Sequence, residues 1–197
     1  MSSVVISGDT SGAITVSAPA VAGTNTLTLQ AATATNAVNT LDTAKAYNWN
    51  GLTTNTSLEF TSLPSWIKKI TVMLSGLSVN GTSNLQIQLG SGSFTTSGYT
   101  ATNGLINASA TNYASQASGF FIGVTSNALD TFSGAVTISL LTSNTFVEQG
   151  CVTRTNSAAT QFSSGVIALG GTLDRVRITT TGSDTFDAGT VNILYEG

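Results

Sequence analysis

Apolar and polar residues alternate in short runs along much of the chain, which is the pattern of half-buried β-strands. The longest run follows Pro64 and predicts a single strand. Its buried face would carry Trp66, Ile70, Val72 and Leu74, and its other face Ile67, Lys69, Thr71 and Ser75. After the turn dipeptide Asn80-Gly81, leucine and isoleucine alternate with glutamine over residues 85–89. These two runs predict a β-hairpin.

Further alternating runs decide the expected fold class. About eight of them follow residue 57, and turn residues separate them at the spacing of a β-sandwich. Long helices are disfavoured because Glu, Lys and Arg are scarce, whereas Thr and Val favour sheet. The sequence therefore predicts an all-β protein, an antiparallel β-sandwich that is jelly-roll-like.

A smaller β segment is expected ahead of the sandwich, in residues 1–30. Two thin alternating runs, at 4–6 and 14–16, offer only about two apolar positions per strand face. Because strands this small are marginal alone, we expect this segment to pack on the rest of the chain or on copies of itself.

The domain boundaries follow from a change in residue size and polarity. Residues 31–46 are small and polar and predict a linker, with one short helix around residues 38–46. Residues 47–197 are predicted to form the sandwich head, which is long enough to bury a core of its own.

A long polar stretch, residues 91–118, is predicted to be a loop and is the best candidate for a binding surface. Loops of this length are usually functional or hold minor structure of their own. Phe94, Tyr99 and Tyr113 stand there among Ser, Thr, Gly and Asn, a composition typical of antibody binding loops. The alternative is a surface loop whose aromatic side chains pin it to the sandwich.

Composition weakens several functional classes. Charged residues make up 8% of the chain, and six basic against nine acidic residues give a net charge of −3, which disfavours nucleic-acid binding. There is no histidine, so the commonest general base and metal ligand is missing. One cysteine cannot form an internal disulfide, and no run is apolar enough for a membrane helix. The first residues do not predict a secretory signal.

Candidate chemistry in the sequence is sparse, and we expect no enzyme, no cofactor and no metal. The sequence motif Ser65-x-x-Lys68 lies at the start of a predicted strand, where those two side chains would face opposite sides. Cys151 is expected to be a small buried hydrophobe. Arg175 and Arg177 would form a solvated strand face, or alternatively an intersubunit salt bridge.

Carboxylates are the remaining candidates for a site. Asp184 and Asp187 lie close together in a predicted turn, where a weak Ca²⁺ site is conceivable with oxygen ligands. Glu59 and Glu148 could be brought together by folding, which a glycan hydrolase would need because it uses two facing carboxylates.

Two stretches resemble virion proteins of tailed bacteriophages. ISGDTSGAITVSAPAVAGTNTLTLQAATATN resembles the short repeat-like segment ahead of a fibre or spike head, and LPSWIKKITVMLSGLSVNGTSNLQIQLG resembles the start of a β-rich head domain. The resemblance covers roughly residues 4–90. It implies a homotrimer, contacts with other capsid or tail proteins, and a place in the virion after assembly in the host cytoplasm.

Together, these expectations describe a non-enzymatic phage virion protein, a short trimeric fibre or spike with a head that contacts the host surface. Residues 1–30 would attach it to the particle or form subunit contacts, and the 91–118 loop would face outward, with a host surface glycan as a candidate partner. The alternatives are a capsid decoration protein without a ligand, a free carbohydrate-binding module, and a glycan hydrolase acting at a subunit interface.

Overall fold

The computed structural model describes residues 55–109, 111–156 and 158–197, together with the backbone of three strands nearer the N-terminus. The chain divides into two compact units, residues 1–39 and residues 40–197. Of the predicted 31–46 linker, only Ala46 is described, and it begins a strand; the rest of the linker and its predicted helix lie outside the described residues.

The first unit contains an antiparallel strand pair where the sequence predicts one. Strand β1 (Ser3–Ser7) pairs with β2 (Ala13–Ser17), so that Val4 lies opposite Val16 and Ile6 opposite Ile14.

Twelve strands of the second unit fall within residues 55–197, after an earlier short strand β3 (Ala46–Asn48). They are β4 (Ser57–Thr61), β5 (Lys69–Val79), β6 (Leu85–Ser91), β7 (Ser93–Phe94), β8 (Thr100–Ile106), β9 (Thr111–Gln116), β10 (Phe120–Gly123), β11 (Phe132–Thr142), β12 (Thr145–Arg154), β13 (Ala159–Ala168), β14 (Arg175–Thr180) and β15 (Phe186–Glu196).

These strands form two antiparallel sheets that pack face to face, which confirms the predicted all-β sandwich. The larger sheet has the order β3-β15-β5-β11-β12-β13-β8-β9. The smaller sheet has the order β10-β6-β14-β4, and β7 pairs with β6. The described residues contain no helix. Both sheets contribute to one core, whose largest fully buried side chains include Phe60, Phe120, Phe121, Phe132 and Phe186.

The long strand β5 follows the predicted alternation only in part. Ile70, Val72 and Leu74 are buried in turn, as expected. The strand begins at Lys69, however, so Trp66 precedes it and packs against the ring of Tyr195 at 5.8 Å. Ile67 also precedes the strand and is buried, which contradicts its predicted place on the outward face.

The predicted hairpin between β5 and β6 is wrong, because the two strands belong to different sheets. The Asn80-Gly81 turn carries the chain across the sandwich instead. Asn80 donates its backbone N–H to Thr185 and accepts the Thr185 N–H on its side chain, both within 3.0 Å. The Ser83 N–H donates to Asp184. Contacts distant in sequence therefore direct this turn.

The predicted 91–118 loop is also wrong, because the stretch contains three strands. Strands β8 and β9 pair with each other at one edge of the larger sheet, and the short β7 pairs with β6. The alternation of apolar and polar residues does not predict β8, because its inward positions are Ala101, Asn103 and Leu105 and only Leu105 is strongly apolar.

Candidate functional site

Tyr99, one of the three predicted binding residues, lies inside the sandwich. It is 3% exposed, and its ring meets that of Phe120 edge-on at 5.0 Å. Its hydroxyl accepts the Leu89 N–H at 2.8 Å, and burial raises the pKa of Tyr99 to about 12. Outward contact by Tyr99 is incompatible with this position, and the side chain pins its segment to the core instead.

Phe94, the second predicted residue, lies beneath two arginines on the smaller sheet. The guanidinium carbon of Arg177 is 4.3 Å from the ring centroid and that of Arg175 is 5.7 Å, both within cation–π range. Each arginine also has an acidic partner: Arg175 binds Asp174 through two hydrogen bonds, and Arg177 contacts Glu59 at 3.3 Å. The charges of this face are thus compensated within the chain.

Tyr113, the third predicted residue, is 92% exposed on the edge strand β9. Strand register places Tyr113 opposite Gly104 of β8. Gly104 lies opposite Phe162 of β13, and Phe162 lies opposite Cys151 of β12. We call these four residues the aromatic row. It runs across the outer face of the larger sheet, and sequence reasoning found only its first member.

The aromatic row has two exposed rings with an open position between them. Phe162 is 50% exposed, and a Cβ added to Gly104 would meet no atom within 4 Å. Because neighbouring strands lie about 4.8 Å apart, the two aromatic positions are about 10 Å apart. Cys151 at the end of the row is exposed, which corrects the expectation that it would be a buried hydrophobe.

The face around the aromatic row carries no charge. Strands β8, β9 and β13 contain no charged residue, and the two in β12, Glu148 and Arg154, are buried on the inner side. Ile106 is 48% exposed beside the row, and Val147 and Val166 stand opposite each other farther along. We call the outward residues of these four strands the uncharged face.

A shallow open depression of about 350 Å³ adjoins the uncharged face. Its lining comes from the paired ends of β8 and β9 and includes Thr100, Thr102 and Ser115, again without a charged group. Exposed apolar side chains set among hydroxyl groups are typical of contact surfaces, from which charges are depleted. The arrangement is suited to a neutral partner held by ring contacts and hydrogen bonds.

The carboxylates considered in the sequence occupy separate places. Asp184 accepts the Ser83 N–H at 2.7 Å, and hydrogen bonds from Ser83 lower the pKa of Asp184. Asp187 accepts the Ser78 hydroxyl. Within the described residues, no three Asp, Glu, Cys or His side chains are grouped so that they could hold a metal ion.

Glu59 and Glu148 do not face each other across a cleft. Glu59 is exposed beside Arg177 on the smaller sheet, whereas Glu148 is buried on the inner side of the larger sheet. These two carboxylates are therefore not placed as the pair that glycoside hydrolysis requires.

Comparison with known proteins identifies no relative. No protein family, no curated protein and no solved structure matches the chain. Among the residues whose placement is described, no helix has the length and apolar character needed to cross a membrane.

Proposed function

We propose that this chain is a structural protein of a tailed-phage particle, a short homotrimeric fibre or spike that contacts the host surface through its uncharged face. Two kinds of support stand behind the proposal: the resemblance of residues 4–90 to phage virion proteins, and the sandwich fold of the head. The observation that carries the contact role is the aromatic row, with two rings exposed on a face without charge.

The full chain is expected to be a trimer and to be part of the particle. Three copies of the 20.0 kDa chain have a mass of about 60 kDa, which light scattering on the full chain measures. Gold-labelled antibody against the chain should mark the surface of purified phage particles in electron micrographs. A 20 kDa species that is absent from the particles would contradict the proposal and favour the free carbohydrate-binding module.

Phage particles that carry Phe162→Asp are expected to adsorb to host cells about tenfold more slowly or worse, since central aromatic anchors supply much of a contact's free energy. The substitution puts a charge into the aromatic row, where contact with the host would bury it unpaired. Thr61→Asp is the matched control, because Thr61 is exposed on the smaller sheet. Normal adsorption by intact Phe162→Asp particles would overturn the contact role and leave capsid decoration.

Cys151 supplies a second readout of the same contact. It is the chain's one cysteine, it is exposed, and it lies directly opposite Phe162. A maleimide dye should label free particles quickly and particles bound to host envelope fragments slowly. Equal labelling rates in both states would place the host contact elsewhere on the molecule.

A further inference from the structure

Three polar side chains lie together inside the sandwich, on neighbouring strands of the larger sheet. Glu148 on β12 is 4% exposed, and Ser163 on β13 and Asn103 on β8 are also buried. Asn103 lies directly opposite Ser163, and Ser163 lies opposite Gly150. We call Glu148, Ser163 and Asn103 the inner polar cluster.

Gly150 makes room for the hydrogen bond that holds this cluster together. A Cβ at that position would lie 2.6 Å from the Ser163 hydroxyl oxygen and 3.2 Å from Oε1 of Glu148. Without it, Ser163 donates its hydroxyl to Oε1 of Glu148 at 2.6 Å. The sequence thus places a small residue where the buried carboxyl group needs space.

Two oxygens of the cluster lack a hydrogen-bond partner within the described part of the chain, Oε2 of Glu148 and Oδ1 of Asn103. If Glu148 is ionised, both of these oxygens can only accept, so neither can satisfy the other. If Glu148 is protonated, one of its oxygens becomes an O–H donor, so the cluster no longer holds two buried oxygens that can only accept. The geometry therefore favours the neutral carboxylic acid.

No opposite charge on the packed strands compensates an ionised Glu148. The neighbouring strands β8, β10, β11 and β13 contain no charged or titratable side chain. Cys151, the one cysteine of β12, points outward, away from Glu148. The other charged residue of β12, Arg154, is six positions along the strand, about 20 Å away, and pairs with Asp130. Burial, partly offset by the Ser163 hydrogen bond, raises the pKa of Glu148 to about 7.

The strand packed over this cluster is the short β10, at the edge of the smaller sheet. Phe120 of β10 packs over Gly165, where a Cβ would lie 2.8 Å from the ring. The side-chain amide of Asn103 donates to the Phe121 carbonyl oxygen at 3.3 Å. An edge strand with one ladder partner is the element that can move when the interior beneath it becomes unfavourable.

We propose that Glu148 is a proton-controlled lock between the two sheets. In its neutral form it lets β10 pack closely against β8, β12 and β13, and its ionisation weakens that packing. The lock is independent of the host contact proposed above, since it lies on the opposite side of the larger sheet. It would make the head more compact in mildly acidic surroundings and looser in mildly alkaline ones.

The test measures unfolding of the full chain in urea at pH 5 and pH 8. The folded pKa is raised above the ordinary value, so the stabilisation is complete only below about pH 4.5 and is lost as the pH rises through about 7. The unfolding equilibrium constant of the sandwich should therefore rise about a hundredfold between these two pH values. The chain has no histidine that would titrate in this range.

Glu148→Gln keeps the shape of the side chain but cannot ionise, so its stability should be nearly the same at pH 5 and pH 8. Glu59→Gln, which changes an exposed carboxylate, should keep the dependence of the parent chain. Ser163→Ala removes the one hydrogen bond that favours ionisation, so it should move the loss of stability to higher pH. A pH-independent parent chain, or a Glu148→Gln variant that retains the parent dependence, would overturn the proposal.

Hydrogen exchange separates a lock on β10 from a general loss of stability. After correction for the intrinsic effect of pH, the amides of β10 should exchange faster at pH 8 than at pH 5 in the parent chain and not in Glu148→Gln. At pH 8 the amides of β10 should also exchange faster than those of the central strand β5, because β10 can open locally whereas β5 exchanges only through global unfolding. Equal protection of the two strands at pH 8 would contradict a lock that acts between the sheets.

Discussion

Asp130→Ala is expected to lower the free energy of unfolding by about 3–5 kcal/mol, the usual cost of leaving one charge of a buried pair alone. Asp130 is 0% exposed and accepts the backbone N–H groups of Ser126 and Asn127 at 2.8 and 3.0 Å. Arg154, also buried, lies 3.6 Å from it and donates to the Val124 carbonyl oxygen. Removing the carboxylate would leave the guanidinium uncompensated and loop N–H groups without their acceptor.

Urea unfolding of the full chain measures this loss, and an exposed ion pair is the matched control. Lys69 and Glu196 are 2.9 Å apart at the surface, and their side chains are 45% and 42% exposed. Lys69→Ala should therefore cost less than about 1 kcal/mol. The double variant Asp130→Leu with Arg154→Met removes both buried charges and should recover much of the loss. Equal losses from Asp130→Ala and Lys69→Ala would contradict this account.

Asp130 also sets the acid side of the stability profile. Burial alone would raise the pKa of Asp130, but hydrogen bonds from Ser126 and Asn127 and the charge of Arg154 outweigh it and lower the pKa. A lowered folded-state pKa gives stability that is present above the ordinary value and is lost as the pH falls below it. The raised pKa of Glu148 has the opposite effect, because it makes stability fall as the pH rises. The sandwich should therefore be most stable at about pH 4–5.

Gly189→Ala is expected to destabilise the sandwich by about 2–4 kcal/mol, because it combines a strained backbone with a direct clash. Gly189 has φ +100, in the left-handed region, and lies in β15 at a register shift against β5. A Cβ there would lie 2.4 Å from the Leu77 Cα and 2.5 Å from the Gly76 carbonyl oxygen, both backbone atoms that a side-chain rotation cannot move away.

Two other glycines separate the contributions of strain and clash. Gly76 also has a positive φ, +62, but a Cβ there meets nothing within 4 Å, so Gly76→Ala should cost only about 1 kcal/mol. Gly104 has open space and no positive φ, and Gly104→Ala should be nearly neutral. Thermal melting of the three variants gives the order. If Gly189→Ala lowered the melting temperature no more than Gly76→Ala, the close approach of β15 to β5 would not explain why position 189 requires glycine.

The fold class could be predicted because alternation reports which strand face is buried, but sheet partners could not. Ile70, Val72 and Leu74 follow the expected pattern in β5. In β6, however, Gln86 and Gln88 are buried as well, because they bond to backbone carbonyls and to the segment around Ser118. Alternation cannot report partners of this kind, so it favoured a simple hairpin over a chain that crosses to the other sheet.

The candidate site was predicted only through Tyr113, and Phe162 shows why. In β13 the polar residues Gln161 and Ser163 point inward while Phe162 points outward. Usually the apolar residues of such a strand are buried and the polar ones exposed. Gln161 is accommodated because its side chain bonds the backbone N–H and carbonyl of Val124, and Ser163 because it bonds Glu148. Nothing in the local sequence signals these distant partners.

The absence of charge from strands β8, β9 and β13 has a consequence for the salt conditions under which the proposed host contact could form. Dissolved ions weaken attraction between exposed charges, with a screening length that falls from about 30 Å at 0.01 M salt to about 3 Å at 1 M. A contact made through apolar rings and hydroxyl groups has no such attraction to lose. Adhesion through this face should therefore hold with similar strength in fresh water and in brine.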